Sequence, residues 1–149
     1  MTARATLSLL PLILLPAACA TTSPPQLRLV DTRIEQQTAD GAVVMLQVEA
    51  TNPNPYSIAL GVVEYALAVD GRTVSRGVRD AQRTLQRFGS QTLFLPAGVP
   101  APFSIEGRPC RAAGEVIYVP PSALARTLLD MEVSVTKSNF AGTSTLAAH

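Results

Sequence analysis

The feature that most constrains the fold is a pair of Asn-Pro dipeptides between two strand-like runs. Residues 42–50 and 57–70 alternate between apolar and polar side chains, as half-buried β-strands do. Each Pro holds the preceding residue extended and cannot donate a backbone hydrogen bond, so the pair ends one strand without allowing a helix. The motif consists of Asn52, Pro53, Asn54, Pro55 and Tyr56.

We expect this motif to shape the fold and to carry no chemistry. The two Asn side chains can satisfy nearby backbone groups in the turn. The ring of Tyr56 can pack on the end of the domain while its hydroxyl reaches water or a carbonyl oxygen. The motif is therefore predicted to be a stiff corner between two strands.

The rest of the chain continues the pattern of short alternating runs and turn residues. Asp-Gly pairs at 40–41 and 70–71 predict hairpin turns, and Gly61, where the alternation changes face, predicts a β-bulge. Residues 123–130 have helical spacing after Ser122, a residue that can cap a helix. Further strand-like runs are residues 27–36, 72–78, 91–95, 103–107, 114–119, 132–136 and 140–146. The pattern predicts an antiparallel β-sandwich of the immunoglobulin or fibronectin type, with seven or eight strands and one short helix.

The first residues have the order of an export signal. Arg4 precedes an apolar stretch at 7–15, which is shorter than the about 20 residues of a membrane-spanning helix, and small residues follow. Cys19 comes next, before a polar segment that contains two prolines. This order resembles a bacterial lipoprotein signal. The resemblance implies that Cys19 carries acyl chains, and Ala20 implies an outer-membrane lipoprotein that faces the periplasm.

On this interpretation residues 1–18 are the signal peptide, 19–26 a tether and 27–149 the folded domain. Pro16 stands where the lipoprotein pattern has Leu, so cleavage after Ala20 to give a soluble periplasmic protein stays open. A membrane-anchor helix is the third interpretation. The second cysteine, Cys110, is expected to be a small buried side chain without a disulfide partner.

Charge and residue types argue against several functional classes. Without Arg4, eleven basic and eleven acidic residues balance, which predicts no general attraction to nucleic acid. The single histidine, His149, ends the chain, where a catalytic base would be poorly held. Ordinary solvation explains the closest acidic pair, Asp130 and Glu132, better than catalysis does. With no metal-ligand spacing or phosphate-binding loop either, we expect no enzyme activity, cofactor or metal.

One stretch concentrates positive charge. Arg72, Arg76, Arg79, Arg83 and Arg87 lie within sixteen residues, at spacings of three and four that suit one face of a helix. Because Arg binds phosphate through two parallel hydrogen bonds, the last four are candidates for an anion-binding face, for example for lipid phosphates. An ordinary solvated surface, helical or extended, is the alternative.

The stretch VEATNPNPYSIALGVVEYALAVDGRTVSRG, residues 48–77, resembles the late-embryogenesis-abundant (LEA) type 2 family, whose module is also called the water-stress and hypersensitive-response (WHy) domain. GSQTLFLP at 89–96 and a Gly-strand-Pro-helix-strand order over 107–146 extend the resemblance. It implies a fibronectin-like sandwich with one helix, an association with water stress, and bacterial members that are exported lipoproteins without agreed catalytic residues.

These observations together predict a non-enzymatic, lipid-anchored envelope protein with a stress-protective or binding role. Its expected partners are the membrane, through the acyl chains, and a lipid or an envelope protein. A periplasmic module that holds a lipid or another hydrophobic ligand between its aliphatic rows is the alternative, although such rows more often form a core.

Overall fold

The computed structural model describes residues 22–102, 105–121, 127, 130–131 and 135–148. Within these ranges the chain forms seven long strands and one two-residue strand. They are β1 Gln26–Thr38, β2 Gly41–Thr51, β3 Ile58–Val69, β4 Arg72–Leu85, β5 Ser90–Pro100, β6 Pro109–Val119, β7 Lys137–Thr145 and β8 Ala147–Ala148.

The strands form two four-stranded sheets. Sheet A has the strand order β5-β2-β1-β8, and sheet B has the order β4-β3-β6-β7. The long strands pair antiparallel, and β8 pairs in parallel with β1. This arrangement confirms the predicted antiparallel β-sandwich of seven or eight strands.

The core is built from alternate residues of the strands, which point between the two sheets. In β2 the side chains of Val44, Leu46 and Val48 are fully buried, and in β3 those of Leu67 and Val69 are as well. Removing apolar surface from water is the main favourable contribution to folding, so the alternation of each strand fixes which face it buries.

The bulge at Gly61 occurs where the sequence predicted it. Two residues of β3, Gly61 and Val62, lie opposite Ile117 of β6 in the register of these two strands. A bulge turns the following residues to the other face of the strand. The core residues of β3 consequently change parity, from Ile58 and Leu60 before the bulge to the odd-numbered positions 63–69 after it.

Both Asp-Gly turns also lie at hairpins. Asp70 and Gly71 have φ angles of 49° and 79°, the positive values that a two-residue type I′ turn requires. The other turn connects Thr38 with Gly41, which are cross-strand partners in the β1–β2 hairpin.

The helical interpretation of the arginine spacing is wrong. Residues 72–85 form β4, an edge strand that pairs with β3 along its length. Four β-branched residues, Thr73, Val74, Val78 and Thr84, favour the extended conformation. The spacings of three and four arise in an extended chain with a bulge, where two residues of β4 lie opposite Gly61.

Two further strand predictions need correction. Of the run 103–107, residues 105–107 are described, and they form no strand: a turn at Glu106 and Gly107 follows Ile105, and the Arg108 amide donates to the Ile105 carbonyl. Gly107 has a φ of 70°, which is incompatible with a strand. Val135 and Thr136 also lie outside any strand, and β7 begins at the following residue.

Most of the predicted helix at 123–130 lies outside the described residues. The Met131 amide donates to the Thr127 carbonyl at 3.0 Å, which is the i→i−4 spacing of a single α-helical turn. Cys19, Glu132 and His149 also lie outside the described residues.

Gly114 provides a direct test of the packing within sheet B. A Cβ atom at this position would lie 2.5 Å from the Glu64 carbonyl oxygen and 2.7 Å from the Phe140 ring. Gly98, also in a strand, has no neighbour within 4 Å of its hypothetical Cβ. We predict that Gly114→Ala lowers the free energy of unfolding by about 1–3 kcal/mol. Gly98→Ala serves as the control in urea unfolding, and equal effects of the two substitutions would contradict the described packing.

Candidate functional site

The two ends of the sandwich differ in their connections. Residues 22–25, the β2–β3 connection at 52–57 and the β4–β5 loop at 86–89 lie at one end, which we call the corner end. The connection from β6 to β7 lies at the same end. The two Asp-Gly turns lie at the opposite end, which we call the hairpin end.

Asn52 links the corner to the β4–β5 loop. Its side chain is fully buried, and its amide nitrogen lies 2.6 Å from the Tyr56 carbonyl and 3.1 Å from the Gln86 carbonyl. Its side-chain oxygen accepts hydrogen bonds from the backbone and side-chain amides of Asn54, at 3.0 and 2.9 Å. One buried amide therefore satisfies polar groups from two connections that are more than thirty residues apart in sequence.

Asn54 links the corner to the N-terminal segment. Its side-chain amide donates to the Ser23 carbonyl at 2.8 Å, and its side-chain oxygen accepts from the Ser23 amide at 3.0 Å. The hydroxyl of Tyr56 lies 2.7 Å from Thr22 Oγ1 and 3.1 Å from Asn54 Oδ1. These contacts hold Thr22 and Ser23 against the motif, with Pro53 and Pro55 on either side of Asn54.

The segment before β1 is thus part of the folded corner end. Pro25 is buried, and its carbonyl accepts a hydrogen bond from the Ser138 hydroxyl at 2.5 Å. The sequence predicted the turn itself. No local sequence pattern indicated the long-range hydrogen-bond partners of the Asn side chains. The roles of Thr22 and Ser23 were therefore not predicted.

The structure brings two of the candidate arginines together. Arg79 and Arg83 line one cleft of about 460 Å³ between β4 and β5, the edge strands of the two sheets. The bulge separates them and places both on the inward side of β4, opposite Val63 and Leu60 respectively. Gln82 at the bulge has a φ of 43°, and its amide donates to Asp80 Oδ1 at 3.0 Å.

The other two arginines lie elsewhere. Arg76 pairs with Ala66 and lies on the outward face of sheet B, and Arg87 belongs to the β4–β5 loop at the corner end. The four arginines therefore form no single stripe. None of them takes part in an ion pair within the described part of the chain.

The cleft combines apolar side chains with polar and charged ones. Val63, Leu93 and Leu95 are buried in its lining, while Arg79, Arg83 and the acidic Asp80 are exposed there. Burial raises the pKa of the Tyr65 hydroxyl, and the positive charge of Arg79 acts in the opposite direction. Inward charges and a bulge on an edge strand also hinder edge-to-edge pairing with other molecules.

Groups with catalytic chemistry are sparse in the described part of the chain. Cys110 is buried and unpaired there, with its sulfur 3.6 Å from Thr32 Oγ1. No group of three His, Cys, Asp or Glu residues that could hold a metal occurs among the described residues. Asp130 is exposed. None of the described helical residues belongs to a helix long and apolar enough to cross a membrane.

Comparison with known proteins defines the family. The model of the late embryogenesis abundant protein family LEA_2 matches residues 47–146, about two thirds of the chain, so this protein belongs to that family. A sequence search of curated proteins finds no match.

Solved structures share the fold at low identity. A protein from Arabidopsis thaliana solved in solution has a TM-score of 0.63 at 14% identity, covering 91% of this chain and 90% of that one. A candidate LEA protein solved in solution has a TM-score of 0.59 at 19% identity, covering 88% and 76%. A β-glucuronidase of glycoside hydrolase family 2 has a TM-score of 0.52 at 8% identity, covering 82% of this chain but 12% of the enzyme. These likenesses show the sandwich fold and carry no activity across.

Asn52 tests the hydrogen bonding of the corner end. We predict that Asn52→Ala lowers the free energy of unfolding by about 2–4 kcal/mol, because buried carbonyls and the Asn54 amide lose their partner. Asn139→Ala, at an exposed position in β7, is the matched control in urea unfolding. A loss no larger than that of the control would show that the corner does not depend on Asn52.

Proposed function

We propose that this protein is a non-enzymatic, lipid-anchored envelope protein of the LEA type 2 family. Acyl chains on Cys19 hold it on the outer membrane, with the sandwich in the periplasm, where it acts by binding or by protection under stress. Family membership supports a protein without enzymatic activity.

The observation that carries the proposal is the path of the chain after Cys19. Thr22, three residues later, contacts Tyr56, and Ser23 is bonded to Asn54. Because the chain joins the folded domain only three residues after the cysteine, an anchor on that cysteine would hold the domain close to the membrane. Since each buried methylene contributes on the order of 0.8 kcal/mol, two or three acyl chains would make the attachment nearly permanent.

The anchor is tested through the two cysteines. Cells that express the wild type, Cys19→Ala or Cys110→Ala are labelled with palmitate, and the intact mass of the extracted protein is measured. We expect the label and the acyl mass in the wild type and in Cys110→Ala, but neither in Cys19→Ala. Equal labelling of the wild type and Cys19→Ala would refute the anchor. A wild-type mass that begins at residue 21 would establish the soluble alternative.

The cleft between β4 and β5 favours a second candidate function, the binding of a lipid or another hydrophobic anion. Its volume of about 460 Å³ lies within the usual range of ligand sites. The apolar residues of the lining suit an alkyl chain. Arg79 and Arg83, which outnumber the one acidic residue of the lining, Asp80, suit a carboxylate or a phosphate.

This candidate is tested with a fluorescent fatty acid as the probe. The double variant Arg79→Ala/Arg83→Ala is expected to bind it about tenfold or more weakly than the wild type, since a hydrogen bond to a charged group contributes about 1.5–3 kcal/mol. Arg76→Ala/Arg87→Ala, which removes the same number of charges outside the cleft, should bind like the wild type. Equal binding by all three proteins, or no binding by the wild type, would eliminate the cleft as the site.

A further inference from the structure

The β4–β5 loop presents an aromatic side chain from a rigid backbone. The Phe88 amide donates to the Asn54 carbonyl at 3.1 Å, and the Gly89 amide donates to the Gln86 carbonyl at 2.9 Å. The Gly89 carbonyl accepts from the Asn52 amide at 2.9 Å. Although its backbone is fixed on both sides, the Phe88 side chain is 68% exposed.

The backbone of Phe88 is strained. Its φ is 53°, a left-handed conformation that non-glycine residues rarely adopt. A single exposed aromatic side chain is common on protein surfaces. An aromatic residue in a left-handed turn, held by hydrogen bonds to the buried corner, is a less common combination that indicates a use for the exposed ring.

The same residue of the corner binds this loop and the N-terminal segment. The backbone carbonyl of Asn54 accepts a hydrogen bond from the Phe88 amide, and the Asn54 side chain is hydrogen-bonded to Ser23. Cys19 precedes Thr22 by three residues, which span at most about 11 Å. An acyl anchor on Cys19 therefore brings the corner end, and with it Phe88, to the surface of the bilayer.

The exposed side chains of the corner end match a bilayer interface. Among the described residues, the large hydrophobic side chains that are exposed in connections are Phe88, Met131 and Val135, and all three belong to connections that begin and end at the corner end. Val30, Val78 and Phe94, the other exposed large hydrophobics, lie within strands.

The two ends also differ in charge. The three connections at 22–25, 52–57 and 86–89 contain no acidic residue, and their one charged side chain is the exposed Arg87. Asp130 is exposed in the β6–β7 connection. At the hairpin end the connections contain Asp40, Asp70 and Glu106 beside one basic residue, Arg108, which pairs with Asp70. Aromatic rings settle at the level of lipid headgroups, and Arg pairs with their phosphates.

We propose that the β4–β5 loop is a second membrane contact, in which Phe88 enters the headgroup region of the bilayer and Arg87 pairs with lipid phosphate. This inference rests on the proposed acyl anchor at Cys19. The anchor supplies the affinity and the loop fixes the orientation, so the sandwich stands on its corner end with the hairpin end directed away from the membrane.

The sequence contains no tryptophan, so one introduced tryptophan reports on one position. The full-length acylated protein, as Phe88→Trp, is reconstituted into vesicles of phosphatidylethanolamine and phosphatidylglycerol, with or without brominated acyl chains. The matched control is Val30→Trp, at a half-exposed Val in β1 about 14 Å along the strand from the corner end. Intact mass is measured on the same samples.

We expect the tryptophan of F88W to emit at shorter wavelength in vesicles than in the same protein released into detergent-free buffer by proteolysis near the anchor. With brominated lipid, its emission should lose most of its intensity. The V30W protein should show neither effect. An acylated F88W protein whose emission resembles that of V30W would overturn the membrane contact while leaving the anchor intact. A protein without acyl mass would overturn the anchor, and the membrane contact with it.

Discussion

The hydrogen bonds of Asn52 and Asn54 are the interaction on which the corner end depends. The two side chains are buried among the β2–β3 connection, the β4–β5 loop and the segment before β1. Prolines at 53 and 55 cannot donate backbone hydrogen bonds, so the Asn amides provide the donors that the turn lacks. Without these side chains, three connections from distant parts of the sequence would have no common partner.

This arrangement connects the fold to the proposed function. The alternating strands supply a core and two sheet edges, and the corner determines where the chain enters the domain. Because Asn54 bonds both Ser23 and the loop that contains Phe88, the position of the N-terminus and the position of the exposed ring are set together. The arginine-lined cleft lies on the open side of the sandwich and depends on the bulge of β4.

The features that local sequence patterns determine were predictable. Alternation identified most strands, the Asp-Gly pairs identified the hairpins, and the change of parity at Gly61 identified the bulge. Residues 72–78 were predicted as a strand-like run, but the arginine spacing also suggested a helix, because arginines on either side of a bulge imitate helical spacing. The bonds of Asn54 to Ser23 and the exposure of Phe88 could not be predicted, since they depend on segments more than thirty residues apart.

Amide hydrogen exchange tests the central claim most directly. The Ser23 amide precedes the first strand and its described partner is the Asn54 side chain. We expect this amide to be protected from exchange in the folded protein and to exchange together with the amides of Asn54 and Phe88, which belong to the same corner. Exchange of Ser23 at the rate of an unstructured chain, while Asn54 and Phe88 stay protected, would contradict it.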